Sequence, residues 1–210
     1  MATQRGKWLT LEGVDGAGKT TQLTWLATYL RAAGAPLDVS REPGGTPVSE
    51  HIRALVLHQE MTPETEALLM FAARQQHLVE RIRPQLAAGQ WMLCDRFSDA
   101  TFAYQGGGRG VSLDKLAALE AWVHPQEQPD LTLLLDLPPE VSLRRVHAGR
   151  SPDRFEQQGL AFFTSVRQVY LARAAADPQR IHVVNADGTV AEVQQRLRAV
   201  LDPWLAVAQL

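Results

Sequence analysis

The segment that most restricts the fold of this chain is a glycine-rich turn at residues 13–20, which reads Gly-Val-Asp-Gly-Ala-Gly-Lys-Thr. It follows an apolar run that begins at Trp8 and precedes a helical pattern through Leu23, Leu26 and Leu30. Glycines let successive backbone N–H groups converge on one anion, and the start of a helix adds partial positive charge there. A strand, this turn and a helix in that order predict an α/β fold with a phosphate-binding loop.

The polar residues of the turn have predicted parts in holding a nucleotide. Lys19 supplies a full positive charge to the β- and γ-phosphates, and the Thr20 hydroxyl can ligate Mg²⁺. Since the pattern arises by chance in roughly one chain in a hundred of this size, it strongly indicates ATP or GTP binding, but it does not identify the reaction. We expect the ATP-contacting residues to be Gly13, Val14, Asp15, Gly16, Ala17, Gly18, Lys19, Thr20 and Thr21.

Short apolar runs alternate with longer helical patterns along the rest of the chain, which is typical of a parallel sheet with crossover helices. Helix starts are predicted at Thr62, at Ser112 and at a capping box formed by Thr189 and Glu192, and Gly89 should end the first of these helices. No repeat or linker divides the sequence, so we expect one domain over residues 1–210. Strands are predicted at residues 7–12, 37–41, 91–95, 131–137 and 181–184.

Composition excludes several classes of protein. The formal net charge of −2 argues against a general nucleic-acid binder, which would carry a strong basic excess. The single cysteine, Cys94, cannot form an intramolecular disulfide and lies in an apolar run, so we expect a buried, inert thiol. The first residues lack the apolar region of a signal peptide, and no apolar stretch is long enough to span a bilayer. We therefore expect a cytoplasmic protein with neither a nucleic-acid nor a membrane partner.

The phosphate loop occurs in switch proteins, motors and kinases, and other features of the sequence separate these classes. The guanine-reading element Asn-Lys-x-Asp is absent, since the only asparagine, Asn185, is followed by Ala186. Motor and transport ATPases are usually embedded in larger machines. The pattern therefore favours a small-molecule kinase. A catalytically inactive nucleotide-binding module is the alternative from another class, but such a module would be expected to have lost Lys19 or Arg96.

Five further segments combine charge with glycine or aromatic residues in ways that ordinary packing does not explain. They occupy residues 41–46, 71–74, 95–98, 104–110 and 150–154 and read REPGGT, FAAR, DRFS, YQGGGRG and RSPDR. With the phosphate loop, they resemble the thymidylate kinase family of the bacterial kind, in the right order from about residue 9 to residue 156. The resemblance implies a three-layer P-loop fold with a five-stranded parallel sheet. It also implies transfer of the γ-phosphoryl group of ATP to dTMP, giving dTDP, with Mg²⁺ and as a homodimer.

The resemblance implies that Arg96 grips the acceptor phosphate, and Arg41 is a second candidate for that contact. Arg96 follows a predicted strand, where open α/β sheets bind ligands, and a planar guanidinium can pair two phosphate oxygens at once. The alternatives are a surface salt bridge from Arg96 to Asp95 or Glu42, and a purely anchoring role for Arg41. Glu42 and Pro43 resemble the cis peptide that the family places beside its substrate.

For the base, the resemblance implies that Phe71 stacks on thymine. Arg74, three residues further along the same helix, would donate to the exocyclic oxygen of the base. Taken alone, Phe71 would be assigned to the core. Gln105 and Thr101 would reach the remaining edges of the pyrimidine, although the segment around Thr101 departs from the serine-rich stretch of the family. Tyr104 would lie against the sugar C2′ and exclude a ribose hydroxyl.

The carboxylate of Asp15 would repel a phosphate unless a metal ion or a sugar hydroxyl offsets it. The resemblance implies that Asp15 contacts the 3′-hydroxyl of the acceptor and helps to place the metal, and the predicted Mg²⁺ ligands are Thr20, Asp15 and Asp95. Residues 144–156 resemble the mobile lid of the family, where Arg150 and Arg154 would supply catalytic charge. Arg144 and Arg145 are expected on a solvated helix face. The predicted catalytic set is Lys19, Asp15, Arg96, Arg150 and Arg154.

Two further expectations complete the interpretation. The segment 185–188 follows the last predicted strand, where the family contacts adenine mostly through its backbone. The predicted helix that begins at Thr62 is expected to contribute to the homodimer. Within enzymes, the alternative to a dTMP kinase is a kinase for another pyrimidine nucleoside monophosphate, such as dUMP or dCMP.

Overall fold

The computed structural model describes residues 4–147, 154–155 and 157–208 of the chain. In this part of the chain, the strands are β1 (Trp8–Gly13), β2 (Leu37–Arg41), β3 (Trp91–Asp95), β4 (Leu131–Asp136) and β5 (Ile181–Asn185). The predicted strands are confirmed to within one residue at each end. The five strands are parallel and form one sheet in the order β2-β3-β1-β4-β5.

The central strand β1 pairs with β3 on one side and with β4 on the other. Because helices cover both faces of such a sheet, its strands read as nearly continuous apolar runs. Leu9 and Leu11 are fully buried, and Leu9 lies beside Leu93 and Leu131 in the two pairings. The order of the strands reverses around β1, so the carboxyl ends of β1 and β3 border the crevice where open α/β sheets bind ligands.

The helices flank the sheet, and two stretches of π-helix interrupt them. Residues Leu78–Ile82 form a π-helical turn between the helices Pro63–His77 and Arg83–Ala87, and Phe102–Gly108 form a second one directly after the helix Ser98–Thr101. The helices are α1 (Lys19–Ala32), α2 (Pro47–His58), α3 (Pro63–His77), α4 (Arg83–Ala87), α5 (Ser98–Thr101), α6 (Leu113–Val123), α7 (Pro139–His147), α8 (Leu160–Ala176) and α9 (Val190–Ala208).

Most of the predicted helix ends are confirmed. The Thr62 side chain accepts a hydrogen bond at the start of α3. Thr189 and Glu192 form the reciprocal capping box before α9, with the Glu192 N–H 3.3 Å from Thr189 Oγ1 and the Thr189 N–H 2.7 Å from Glu192 Oε2. Ser112 occupies the N-cap position of α6, but its side chain makes no capping hydrogen bond, in contrast to the prediction.

Packing also agrees with the expectations for Cys94 and for the last helix. Cys94 is fully buried, and burial raises the pKa of its thiol well above the ordinary value, as expected for an inert group. Helix α9 buries Leu197, and its Trp204 ring packs edge-on against Trp91 with 5.5 Å between centroids. Within the described residues, no helix has both the length and the apolar character needed to cross a bilayer.

Candidate functional site

The loop between β1 and α1 has a backbone that only glycine fits at two positions. Gly13 and Gly16 have φ angles of 139° and 78°. A β-carbon at Gly13 would lie 2.5 Å from the carbonyl oxygen of Leu135, and one at Gly16 would lie 2.7 Å from that of Ser142. The first N–H groups of a helix have no partner within it, so the start of α1 offers donors at the end of this loop. The geometry is that of an anion-binding turn.

A cavity of about 440 Å³ opens beside this loop at the carboxyl ends of β1 and β3. Val14 and Ala17, which were also predicted to contact ATP, are almost fully buried and pack in the main hydrophobic core. The remainder of the loop and the start of α1 therefore carry the polar surface of the cavity. The loop residues that line it are Asp15, Gly16, Gly18, Lys19, Thr20 and Thr21.

Lys19 is buried at the floor of the cavity. Its Nζ donates to the carbonyl oxygens of Gly13 at 3.0 Å and Val14 at 2.9 Å, and it lies 3.6 Å from Asp15 Oδ1. Burial, followed by the nearby charge of Arg96, lowers the pKa of Lys19, and the neighbouring carboxylates only partly offset this effect. A buried cation bound mainly to carbonyl oxygens is well placed to exchange them for an anion with full charge.

Arg96 lines the same cavity beside the loop, and its backbone is strained. Its φ angle is 71°, which is uncommon for a residue other than glycine and marks a position that its surroundings hold in place. Its Nη1 donates to the Gly13 carbonyl and to the Tyr170 hydroxyl, each at 3.0 Å. Its Nη2 donates to Asp15 Oδ1 at 2.6 Å and to the Tyr104 hydroxyl at 2.9 Å. Arg96 does not form the surface salt bridge to Asp95 or Glu42 that was the alternative prediction.

Asp15 and Tyr104 complete this cluster. The Tyr104 hydroxyl donates to Asp15 Oδ2 at 2.7 Å and accepts from the Asp15 N–H at 3.1 Å. Burial alone would raise the pKa of Asp15, but the charges of Arg96 and Lys19 outweigh it and hold the pKa below its ordinary value. Asp15 is therefore a charged group whose two oxygens are both engaged by neighbours.

Behind Arg96 lies a buried carboxylate that the sequence interpretation did not use. Glu12 is fully buried in β1, and its Oε1 accepts from the Phe97 N–H at 2.6 Å. Its Oε2 accepts at 2.8 Å from the Tyr170 hydroxyl, which also contacts Arg96. Burial, with a contribution from Asp99, raises the pKa of Glu12 to about 8. A charged residue within an otherwise apolar strand was the sequence signal that could have drawn attention to it.

The predicted cis peptide between Glu42 and Pro43 is present, and both residues line the cavity. Glu42 is almost fully buried; its Oε2 accepts from Arg74 Nε at 2.9 Å, and its Oε1 lies 3.0 Å from His77 Nδ1. Burial alone would raise the pKa of Glu42, but the charge of Arg74 outweighs this effect, so the pKa lies below its ordinary value. The Arg74 Nη2 donates to the Thr101 hydroxyl at 2.9 Å. These buried bonds fix Arg74, whose Nη1 has no partner in the described part of the chain.

Arg41 does not lie in the cavity, where the sequence predicted it. Its guanidinium binds Glu50 Oε2 at 2.9 Å on the surface, its side chain is 53% exposed, and it does not line the cavity. Arg53, on α2, lines the cavity instead. Burial and then the charge of Arg41 lower the pKa of Arg53. Glu50 of α2 thus holds Arg41 at the surface, and the same helix carries Arg53 to the cavity.

Phe71 does not face the cavity, in contrast to the prediction. It is 2% exposed and packs in a hydrophobic cluster with Phe102 and Leu116, while the preceding residue, Met70, lines the cavity. Adjacent residues on a helix point about 100° apart, whereas residues four apart share a face. Met70 therefore shares a face with Arg74 and lines the cavity, whereas the Phe71 ring packs under the Arg74 guanidinium, 4.9 Å from its carbon to the ring centroid.

Gln105 lines the cavity, as predicted, and is held from behind. Its Nε2 donates to Glu66 Oε1 at 2.8 Å, while its own Oε1 is buried and finds no partner among the described residues. Thr101 is fully buried and contacts Arg74 rather than lining the cavity. Glu66 was missed from the sequence, although its position four residues before Met70 and eight before Arg74 puts all three on one helix face.

The predicted lid is described only in part. Arg150 lies outside the described residues. Arg154 binds Glu66 through Nη2, which also donates to the Val56 carbonyl at 3.0 Å. The described contacts of Arg154 therefore place it next to Glu66, which also binds Gln105. Arg145 was expected in solvent, but it lines the cavity, and its Nη1 lies 3.4 Å from the Gly16 carbonyl and 3.3 Å from that of Ala186.

The predicted metal ligands divide into two groups. Thr20 and Asp95 line the cavity, and Asp95 Oδ1 is buried with no partner in the described part of the chain. A carboxylate oxygen and a hydroxyl suit Mg²⁺, which is usually held by one or two carboxylates together with substrate phosphates. Asp15 fits less well in this arrangement because Arg96 and Tyr104 occupy its oxygens. Within the described residues, no group of three or more His, Cys, Asp or Glu side chains could hold a metal by itself.

The parallel sheet and the glycine loop over a buried lysine define a nucleotide-binding protein of the P-loop class. The cavity is lined by that loop, by Arg96 and Arg53, and by polar groups such as Gln105. Such a site can hold two anionic groups end to end.

Comparison with known proteins shows which family within this class the chain belongs to. The sequence profile described as thymidylate kinase matches residues 11–197 of the chain. The thymidylate kinase of Paraburkholderia xenovorans is 54% identical over 201 residues, which cover 94% of this chain and 98% of that protein. That of Cupriavidus metallidurans is 53% identical over 197 residues, which again cover 94% and 98%. A crystal structure of thymidylate kinase from Ehrlichia chaffeensis is 31% identical and superposes with a TM-score of 0.77, covering 94% of this chain and 99% of that one. The chain belongs to the thymidylate kinase family.

Proposed function

We propose that this protein transfers the γ-phosphoryl group of ATP directly to dTMP, giving dTDP. The observation that carries the proposal is one cavity lined by Lys19 and its loop, by the cations Arg96 and Arg53, and by Gln105. Membership of the thymidylate kinase family supports the same reaction. ATP would place its phosphates on the loop, and dTMP would occupy the side of the cavity bordered by Arg96 and Gln105.

The acceptor in this reaction needs no general base. A phosphate monoester carries about −1.5 to −2 charges at neutral pH and is already a nucleophile. The task of the protein is to align two anionic groups and offset their charge. Lys19 and the N–H groups at the start of α1 serve the donor phosphates. Arg96 serves the acceptor phosphate by exchanging its present bonds to Asp15 and Tyr104 for bonds to phosphate oxygens, with Arg53 as a second cation beside it.

A divalent metal ion, with Mg²⁺ as the expected one, would be held by Thr20 and Asp95. When bound, it would neutralise charge on the phosphates of ATP. Asp15 is proposed to contact the sugar hydroxyl of the acceptor, which would replace Arg96 on Asp15 Oδ1 when Arg96 turns to the phosphate, while Tyr104 stays bound to Oδ2. The part of Arg150 and Arg154 in offsetting charge during transfer stays a prediction, and Arg145 adds a further cation beside the loop.

The base of dTMP is proposed to lie over Met70 with its polar edge toward Gln105, whose free Oε1 can accept a hydrogen bond from the ring N–H. Arg74 is fully buried and does not line the cavity, so its contact with an exocyclic oxygen stays a prediction. Buried polar groups without partners gain a full hydrogen bond when a ligand satisfies them. Tyr104 keeps its proposed place beside the sugar.

The proposal is tested with purified protein, ATP and magnesium, and with dTMP, dUMP, dCMP and AMP as acceptors in parallel reactions. We expect dTDP to form, with dTMP the preferred acceptor. A Lys19→Ala variant purified identically is the control for contaminating kinases. No dTDP above that control, or equal turnover of dTMP and AMP, would contradict the assignment.

We also infer that two copies of the chain associate, and that they do so in the cytoplasm, where ATP and nucleoside monophosphates are available. A groove of about 370 Å³ between α3 and α6 is lined by Leu68, Leu119 and Trp122. Leu68 is 55% exposed and Trp122 is 80% exposed, which is unusual for large apolar side chains that share one patch. Sedimentation analysis should give the mass of a dimer for the wild type and a lower average mass for Trp122→Glu. A monomeric wild type at micromolar concentration would contradict the inference.

A further inference from the structure

Glu66 is a fully buried carboxylate in the first turn of α3 that connects three elements of the structure. One oxygen, Oε1, accepts from Gln105 Nε2 at 2.8 Å. The other, Oε2, binds Arg154 and lies 3.7 Å from Arg109 Nε. Two guanidinium groups thus face one carboxylate oxygen, and an amide faces the other. A buried, ion-paired carboxylate accepts hydrogen bonds and donates none.

The contact with Glu66 decides which end of the Gln105 amide is free. Because the carboxylate only accepts, the amide must present its NH₂ group to Glu66. The carbonyl oxygen of Gln105 is then its remaining polar group, and this atom is buried without a partner in the described part of the chain. Gln105 borders the cavity. An amide that rotated freely would offer either a donor or an acceptor to a ligand, whereas this one offers an acceptor.

We propose that Glu66 is a positioning residue that sets the base specificity of the site through Gln105. The inference rests on the proposed function. Thymine and uracil carry a hydrogen on ring N3 and can donate to the Gln105 oxygen. The same ring atom of cytosine is an acceptor, and two acceptors facing each other leave a buried polar pair unsatisfied. Sites that hydrogen-bond a substrate reject analogues that lack the matching group far more strongly than apolar pockets do.

A purely structural role for Glu66 makes a different prediction. If it only paired with Arg154 and Arg109, its loss would lower stability or activity toward all acceptors alike. If it orients Gln105, its loss changes the preference between acceptors that differ at N3 and leaves the preference between acceptors that share the N3 hydrogen. The pair dTMP and dCMP differs at this atom, whereas the pair dTMP and dUMP does not.

The test is the Glu66→Gln variant, which keeps the size of the side chain but can face Gln105 with a donor or an acceptor. We expect the ratio of kcat/KM for dTMP to that for dCMP to fall by about 10-fold to 100-fold, which is the discrimination of one mismatched buried hydrogen bond. The ratio of dTMP to dUMP and the KM for ATP should stay within about twofold of the wild type, since neither depends on the amide orientation. Glu64→Gln is the matched control because Glu64 lies on the same helix, 57% exposed and 3.8 Å from Lys115, and it should leave every ratio unchanged.

A folded Glu66→Gln protein with an unchanged dTMP to dCMP ratio would overturn the inference. If that variant does not fold, Gln105→Met removes the amide directly and should show the same loss of preference for dTMP over dCMP; full retention there overturns the inference equally. Failure of the proposed function is a separate result, since the wild type itself would then form no dTDP.

Discussion

Replacing Glu12 by glutamine should make the stability of the protein less dependent on pH between about 5 and 8. Glu12 is fully buried beneath Arg96, with its oxygens bound to the Phe97 N–H and the Tyr170 hydroxyl. The charged groups around it are Arg96, Asp99 and Lys19, and they do not offset its desolvation. Glutamine has the same shape and carries no charge at any pH. Its Oε1 can accept from the Phe97 N–H, and its NH₂ group can donate to the Tyr170 hydroxyl oxygen, so the direction of the second bond reverses.

The direction of the pKa shift of Glu12 decides how the stability of the protein depends on pH. The pKa of Glu12 rises from an ordinary value of 4.5 to about 8 because of burial. Between these values, the folded protein holds a proton that the unfolded chain has released, so stability falls as pH rises. The proton-linked contribution is complete below pH 4.5 and is lost as the pH passes about 8. At 1.36 kcal/mol per pH unit, the full loss is on the order of 5 kcal/mol, which is a large part of the stability of a typical domain.

The assay is urea-induced unfolding followed by tryptophan fluorescence, at one protein concentration and at several pH values from about 5.5 to 8.5. The difference in unfolding free energy between Glu12→Gln and the wild type should grow by several kcal/mol in favour of the variant across this range. Groups that the substitution leaves unchanged contribute equally to both proteins and cancel in the difference.

Glu127→Gln is the control for this experiment. A hydrogen bond from Arg83 lowers the pKa of Glu127, so its stabilising contribution is present above its ordinary pKa of 4.5 and is lost only at more acidic pH. Its difference from the wild type should therefore be flat over the same range. If the Glu12→Gln difference were equally flat, Glu12 would be charged in the folded protein and the reasoning would be refuted.

Three further predictions concern the cavity. Lys19→Ala should lower kcat for dTDP formation by about 100-fold or more while leaving the circular dichroism spectrum unchanged, because it removes a preorganised charge from the phosphates; a near-normal rate would contradict the loop assignment. Phe71→Ala should lower the unfolding free energy by about 3–5 kcal/mol, as expected for a core aromatic residue. Met70→Ala should instead raise the KM for dTMP by about 10-fold without changing that for ATP, and the opposite pattern would restore Phe71 to the base site. Tyr104→Ala should admit ribonucleotide acceptors, whereas Tyr104→Phe, which keeps the ring, should still reject them; continued rejection by the alanine variant would exclude the sugar-gate role.

Local patterns in the sequence were enough to predict the architecture of the sheet and the phosphate loop. The strands are short apolar runs with clear ends, and the cap formed by Thr189 and Glu192 depends only on residues three apart. The loop is recognisable because Gly13 and Gly16 adopt backbone conformations that a side chain would block. Features of this kind depend on residues that are close together in the sequence, so the sequence alone is enough to predict them.

The side chains that enter the cavity depend on tertiary packing. Helix α3 is rotated so that Phe71 packs against Phe102 and Leu116, and that rotation directs Met70 and Glu66 toward the site. A rotation of about 100° would exchange Phe71 for Met70, and the sequence around them is apolar enough to allow either arrangement. The same holds for Arg53 in place of Arg41, because the path of α2 over the sheet decides which arginine reaches the cavity. Helix orientation is set by the burial of apolar surface against distant elements, so only the folded structure could assign these residues.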